Sequence, residues 1–352
     1  MSSASDISST LSACAGDSSE PDASGPDVFG PDASAPDVAC LLASTLGVVL
    51  VDDAAFAAAY EATGDVDRAR LKTCIARLHV LYGAASGLGA GDVREGRTAT
   101  RWRQGFTSLE HASPCAWTLL CVDASWSSGP RLLAALLPTL FAGVGSVAVL
   151  RVGGGGAWPP QVLAALELAG QEVAADAEPA AVSALLKAFS ASGGAGGAAG
   201  RLLLLGEHPD QMAALVRAHG VPVWRDASAP TIAIASCGDD IDRADCPDGV
   251  ALRAAHPDAT FVDVPALPGP TSHAAPSAPL ATLFPLSPLS PFSAVACAPA
   301  HAGGWLAHAG LVLGPGHEWC WVHPGLTPAW FTRRSVALLP ASPSPDDLPG
   351  LP

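Results

Sequence analysis

Residues 122–156 read Val122-Asp-Ala-Ser-Trp-Ser-Ser-Gly-Pro-Arg131-Leu-Leu-Ala-Ala-Leu-Leu-Pro-Thr-Leu-Phe-Ala-Gly-Val-Gly-Ser146-Val-Ala-Val-Leu-Arg-Val152-Gly-Gly-Gly-Gly156, with Trp158-Pro159-Pro160 soon after. Together with the apolar run before it, this stretch predicts a strand over Trp117–Val122, a helix over Arg131–Phe141 and a strand over Ser146–Val152. A Gly/Pro loop then leads to a helix over Gln161–Leu168. Strand, helix, strand, helix is a βαβα unit, and a crossover of this length makes the two strands parallel. Leu132–Leu150 carries no charge and is long enough to span a bilayer, but Pro138, Gly143 and Gly145 interrupt it. Its second half is short and β-branched, as a strand buried on both faces should be.

Working outward, the chain toward the N-terminus predicts helices over Asp53–Thr63 and Asp67–Tyr82. In the second, Leu71, Cys74, Ile75, Leu78, Leu81 and Tyr82 share one face, which makes it a docking helix with His79 as a structural histidine. Arg94, Arg97, Arg101 and Arg103 surround Trp102 in a Gly-interrupted stretch that could meet a phosphate and reads first as a solvated connector paired with nearby carboxylates. Residues 1–38 are Ser/Asp/Pro-rich, with Pro21, Pro26, Pro31 and Pro36 each followed by Asp, offer no apolar face and read as disordered. Toward the C-terminus the pattern gives a helix over Ala180–Ala188, a Gly/Ala loop at 193–200 and a strand over Arg201–Leu205. A helix over Pro209–Ala218 and strands over Val221–Trp224 and Thr231–Ala235 follow. The expected class is α/β, Rossmann-like, with a mostly parallel sheet and flanking helices. Its parts are a tail (1–38), a helical segment (39–110), the Rossmann-like domain (111–265) and a Pro-rich connector with a reduced C-terminal part (266–352).

Composition narrows the function. The chain has 352 residues and a formal net charge of −15, which argues against binding to nucleic acid or to an anionic membrane surface, since both need Lys and Arg. Nine cysteines occur without a Cys-x-x-Cys pair, and the N-terminus has neither a basic nor an apolar targeting segment. A reducing cytoplasm is the expectation.

Four stretches in order resemble histidinol dehydrogenase, a family within the aldehyde-dehydrogenase-like superfamily. Leu132–Val144 is similar to the family helix ending Ile-Pro-Ala-x-x-Ala-Gly-Val, and Pro160–Gly170 to its Pro-x-x-Leu-Ala-Ala-x-x-Leu-Ala-Gly helix. Asp226–Ala235 resembles its Asp-x-x-Ala-Gly-Pro-Ser-Glu strand, and Ala309–Gly314 its Ala-Gly-Ala-Ile-Phe-Leu-Gly element. The resemblance implies NAD as cofactor and zinc held by Gln, Asp and two His. It also implies oxidation of an amino alcohol and a homodimer whose partner completes the zinc site. It places His256 on a zinc-ligand histidine, while Arg253 stands where the ligand glutamine belongs. A guanidinium has no lone pair for a metal, so zinc is disfavoured. His317, or alternatively His323, falls on the substrate-contacting histidine. The family's Pro-Glu-His-Leu base has no counterpart in its interval, and residues 305–313 hold no carboxylate to serve as the aspartate ligand.

Gly153, Gly154 and Gly155, after a strand and before a helix, are the candidate cofactor loop, although neither the dinucleotide fingerprint nor Gly-Lys-Ser/Thr is present. Three functions fit these features. One is a non-catalytic relative that keeps the scaffold for a nucleotide, an anion or a partner. Another is an active NAD-dependent enzyme with an altered metal site at His256 and His317 or His323. The third is an acyl reductase with Cys237 as nucleophile, disfavoured by the acidic Asp239-Asp240 beside it. If Arg253 stood among His256, His317 and His323, the old zinc site would become an anion site.

Overall fold

The structure is a computed structural model that describes residues 38–83, 96–192, 200–208, 212, 214, 218–226, 229–237, 241–265 and 292–340. The Pro-Asp tail, the Gly/Ala loop at 193–199, residues 266–291 of the Pro-rich connector and the end after Pro340 lie outside these residues. So does most of the helix expected at Pro209–Ala218.

In chain order the strands are β1 (Val48–Leu50), β2 (Gly96–Trp102), β3 (Phe106–Pro114), β4 (Trp117–Asp123), β5 (Ser146–Val152), β6 (Ala174–Ala177) and β7 (Gly200–Leu205). They continue with β8 (Val223–Asp226), β9 (Thr231–Ala235), β10 (Thr260–Val264), β11 (Ala294–Ala296), β12 (Val312–Leu313) and β13 (Thr332–Pro340). Six of them form the principal sheet in the order β1-β6-β5-β4-β7-β8. All its pairs are parallel except the edge pair of β1 with β6. Every residue of β4 is buried, because helices cover both faces of the sheet. Leu120 and Val122 pack on one face with Trp126, Leu132 and Leu136. Leu119 and Cys121 pack on the other with Leu185 and Phe189, the alternation a strand imposes. The βαβα unit read from the sequence is present, with helices over Gly129–Phe141 and Pro160–Leu168.

The uncharged run after Arg131 is explained by packing. In the Gly129–Phe141 helix every residue from Gly129 to Thr139 is buried. Leu132 and Leu136 face the principal sheet, Leu133 and Leu137 face the docking helix Asp65–Gly83, and Ala134 meets a second sheet. A helix surrounded on all sides has no polar face to keep. Among the described residues no helix is long and apolar enough to cross a membrane.

Three expectations need correcting. Thr231–Ala235 does not extend the principal sheet; as β9 it sits inside a second sheet, β10-β9-β11-β12, whose pairs are all parallel. The Arg-rich stretch is not a connector, since β2 pairs antiparallel with β3, and β13 pairs antiparallel with the other side of β3. Trp102 of this three-stranded arm stacks on Phe106 at 5.9 Å and donates from Nε1 to Ser108 Oγ at 2.9 Å. Finally, the cysteines are not all thiols, because Cys237 and Cys246 are joined in a disulfide. Cys237 is therefore structural and cannot serve as a nucleophile.

Candidate functional site

In an open parallel sheet, ligands bind outside the carboxyl ends of the strands where the strand order reverses. Here that point lies between β4 and β7. It is filled by the chain itself. Asp123, the last residue of β4, accepts through Oδ1 from Ser125 N at 2.7 Å and Ser125 Oγ at 2.6 Å, and through Oδ2 from Glu207 N at 2.6 Å. The amides that could greet an anionic ligand already hold a carboxylate. Gly206 makes this possible: its φ is +87°, and a Cβ there would overlap the Asp123 carboxylate.

The candidate cofactor loop is also turned on itself. Gly153 N donates to Ala177 O at 3.0 Å. Arg151 donates from Nη1 to Ala157 O at 2.9 Å and from Nη2 to Gly156 O, and pairs with Asp176 at 2.6 Å. Beyond Gly153, Gly154 and Gly155 the loop thus presents carbonyls to a cation, the opposite of a phosphate cradle. The helix that follows begins with Pro159 and Pro160, which have no N–H to offer. Neither place fits the pyrophosphate of NAD.

Between the two sheets lies a buried polar cluster centred on Arg131. This residue, on the first turn of the Gly129–Phe141 helix, is 1% exposed. Its Nη1 pairs with Asp258 at 3.0 Å and its Nη2 with Asp226 at 3.1 Å. The guanidinium carbon lies 4.0 Å from the centre of the Trp126 ring. Ser128 caps the same helix, accepting from Arg131 N at 3.3 Å. Nothing local marked this cluster beyond an arginine placed before an uncharged helical run.

His256 ends the Gly249–Ala255 helix and is completely buried. Its Nε2 lies 3.1 Å from Glu318 O, and its Nδ1 lies 2.9 Å from Ser128 Oγ. A carbonyl can only accept, so Nε2 carries the proton, and Ser128 Oγ, which donates to Ala255 O at 2.9 Å, stands against the unprotonated Nδ1. Burial first, and then Arg131, pushes the pKa of His256 down to about 3. His323, also buried, donates from Nε2 to Arg131 O at 2.9 Å, and its Nδ1 stands 3.4 Å from Asp226 Oδ2. Burial pushes its pKa down to about 4 against the pull of Asp226. Both histidines are neutral at pH 7.

Zinc does not fit this donor set. Nε2 of His256 donates to Glu318 O, Ser128 Oγ closes off Nδ1 at 2.9 Å, and the Arg131 cation stands close enough to hold the ring neutral. Among the described residues no group of three or more His, Cys, Asp and Glu side chains could hold a metal. The predicted anion site is not assembled either. Arg253 is half-exposed, lies over the Phe261 ring at 4.6 Å and reaches Asp263 at 3.9 Å. His317 is exposed, with Nδ1 3.1 Å from Pro315 O. The cation beside His256 and His323 is Arg131, not Arg253.

His317 instead lines a cleft of about 460 Å³ between the docking helix and the second sheet, walled by Leu81, Pro299 and Leu313 with Arg77 and Cys320. Trp321 separates it from the cluster, lining the cleft on one side and meeting the His256 ring at 5.0 Å on the other.

No protein-family model and no curated protein matches the chain. Among solved structures it is similar to histidinol dehydrogenase from Elizabethkingia anophelis, with a TM-score of 0.52 and 12% identity over 82% of this chain and 76% of that one. It is also similar to indole-3-acetaldehyde dehydrogenase in its apo form, with a TM-score of 0.39 and 13% identity over 70% of this chain and 69% of that one. The first similarity shows an aldehyde-dehydrogenase-like fold.

Proposed function

We propose that this chain keeps a dehydrogenase-type scaffold as a small-molecule binding protein and has lost zinc-dependent oxidation of an amino alcohol. The observation that carries the reading is His256. The histidine that the sequence resemblance puts on a zinc ligand is sealed in the core, with Ser128 on one nitrogen and Glu318 O on the other. A metal ligand needs access for the ion, and this imidazole is completely buried with Ser128 Oγ 2.9 Å from its unprotonated nitrogen. This reading assigns the ligand to the cleft beside His317, supported by its apolar walls and the few polar groups among them.

The test is elemental analysis of the full chain purified without chelator, paired with NAD titration and turnover of L-histidinol. The expected result is no stoichiometric zinc and no reduced NAD. About one zinc per chain would overturn the reading, and NAD reduction driven by an amino alcohol would restore an active oxidoreductase.

A further inference from the structure

The wall of the cleft beside His317 carries a charge pattern that selects among ligands. Leu78 and Leu81 of the docking helix, Leu313 of β12 and Val322 make it apolar. Leu81 is left 49% exposed, so apolar area stays uncovered there. No Asp or Glu lines the cleft, in a chain whose formal net charge is −15.

Arg77 supplies a cation. It is half-buried on the docking helix and forms no ion pair among the described residues, whereas Arg68, Arg70, Arg131, Arg151 and Arg253 each reach a carboxylate. Its Nη1 donates to Gly316 O at 2.5 Å and lies 3.3 Å from Cys320 Sγ. Those contacts fix the guanidinium from one side. Nε and Nη2 have no hydrogen-bond partner among the described residues, and together they form the edge through which an arginine takes a carboxylate by two parallel bonds. An arginine already held by Nη1 gives up less rotamer freedom when it binds.

We propose, resting on the cleft as the ligand site, that it takes an amphiphilic carboxylate, with both oxygens on the Nε and Nη2 edge of Arg77 and the apolar body against the leucines. Other classes fit less well. A cation meets like charge at Arg77. A neutral ligand would cover the Nε and Nη2 donors without pairing them, which costs free energy. A phosphate needs more donors than one guanidinium edge, and the amides of the adjoining turn are taken. Gly316 N donates to Glu318 Oε1, His317 N to Gly314 O and Cys320 N to His317 O. Cys320 opposes the ligand: its thiol is pushed down to about 6, by the Cys74 thiol first and by Arg77 after it. At pH 7.5 a sulfur anion therefore shares the guanidinium with the carboxylate.

The experiment is isothermal titration calorimetry of the full chain at pH 7.5 with octanoate and with 1-octanol, which share a tail and differ in charge. Octanoate is expected to bind more tightly than 1-octanol and to weaken as salt is added. Arg77→Met, which keeps the length and removes the charge, should weaken octanoate about tenfold and change 1-octanol by less than about twofold. Cys320→Ser, which removes the competing anion, should tighten octanoate about threefold. Gly314→Leu should block both probes, because Gly314 lines the cleft and a Cβ there meets no atom within 4 Å. If Arg77→Met does not fold, the other two variants and the salt dependence carry the test.

Octanoate binding no more tightly than 1-octanol, or unchanged by Arg77→Met in a chain with the native urea midpoint, would overturn the carboxylate. The cleft would still stand as the ligand site if Gly314→Leu removed 1-octanol. Binding of neither probe, or binding untouched by Gly314→Leu, would overturn the carboxylate and the cleft together. Zinc content, measured separately, decides the metal reading in either case.

Discussion

The segment from Gly314 to His323 serves two regions with opposite electrostatics. On its core side, Glu318 O and His323 meet the Arg131 cluster, and burial beside a guanidinium strips protons from His256 and His323. On its cleft side, Cys320 meets Arg77 in a partly open place, and its thiol is pushed down to about 6, by the Cys74 thiol first and by the Arg77 guanidinium after it. A guanidinium stands in both places, beside a neutral pair in the core and an anion at the cleft. What differs is the charge carried by the deprotonated form and how much water reaches it.

The comparison breaks most forcefully at Arg131. Arg131→Met would leave Asp258 and Asp226 without the cation between them, and losing one partner of a buried ion pair costs about 3–5 kcal/mol. Urea unfolding of the variant reads this directly. A loss under about 1 kcal/mol would show that water already solvates the carboxylates.

Acid comes next. His256 and His323 have folded pKa values near 3 and 4, below the ordinary value of 6.5. The unfolded chain therefore binds more protons than the folded chain in this window. Their contribution to stability is complete above about pH 6.5 and is lost as pH falls from there toward the folded values. A urea midpoint that falls between about pH 6.5 and 4, and falls less steeply in His256→Gln, is the expected result. A flat native profile would mean that the histidines are not sealed.

The smallest effect belongs to Arg253. With a half-exposed side chain and one contact at 3.9 Å, Arg253→Ala should change stability by no more than about 0.5 kcal/mol. Measured beside Arg131→Met in the same denaturant series, it separates the arginine that the sequence singled out from the one that the fold uses.

The particular elements show where the sequence spoke clearly. Ser146–Val152 was legible as a buried strand from its β-branched run, and Pro160–Leu168 as a helix from the prolines that start it and the apolar spacing within it. The arm was not legible, because β3 finds β13 more than two hundred residues away and nothing local records that pairing. The sealed state of His256 was equally hidden: its partners Ser128 and Glu318 stand 128 and 62 residues off.

By itself, then, the sequence determined the α/β class and the central βαβα unit, because periodicity is a property of neighbouring residues. Only the tertiary structure decided that β9 belongs to a second sheet, that Arg131 is the buried cation, and that Cys320 meets Arg77 across 243 residues of chain. Those contacts exist because a helix buried on all sides draws two sheets and the docking helix around it. Which side chains then face one another depends on packing distances that no local pattern encodes.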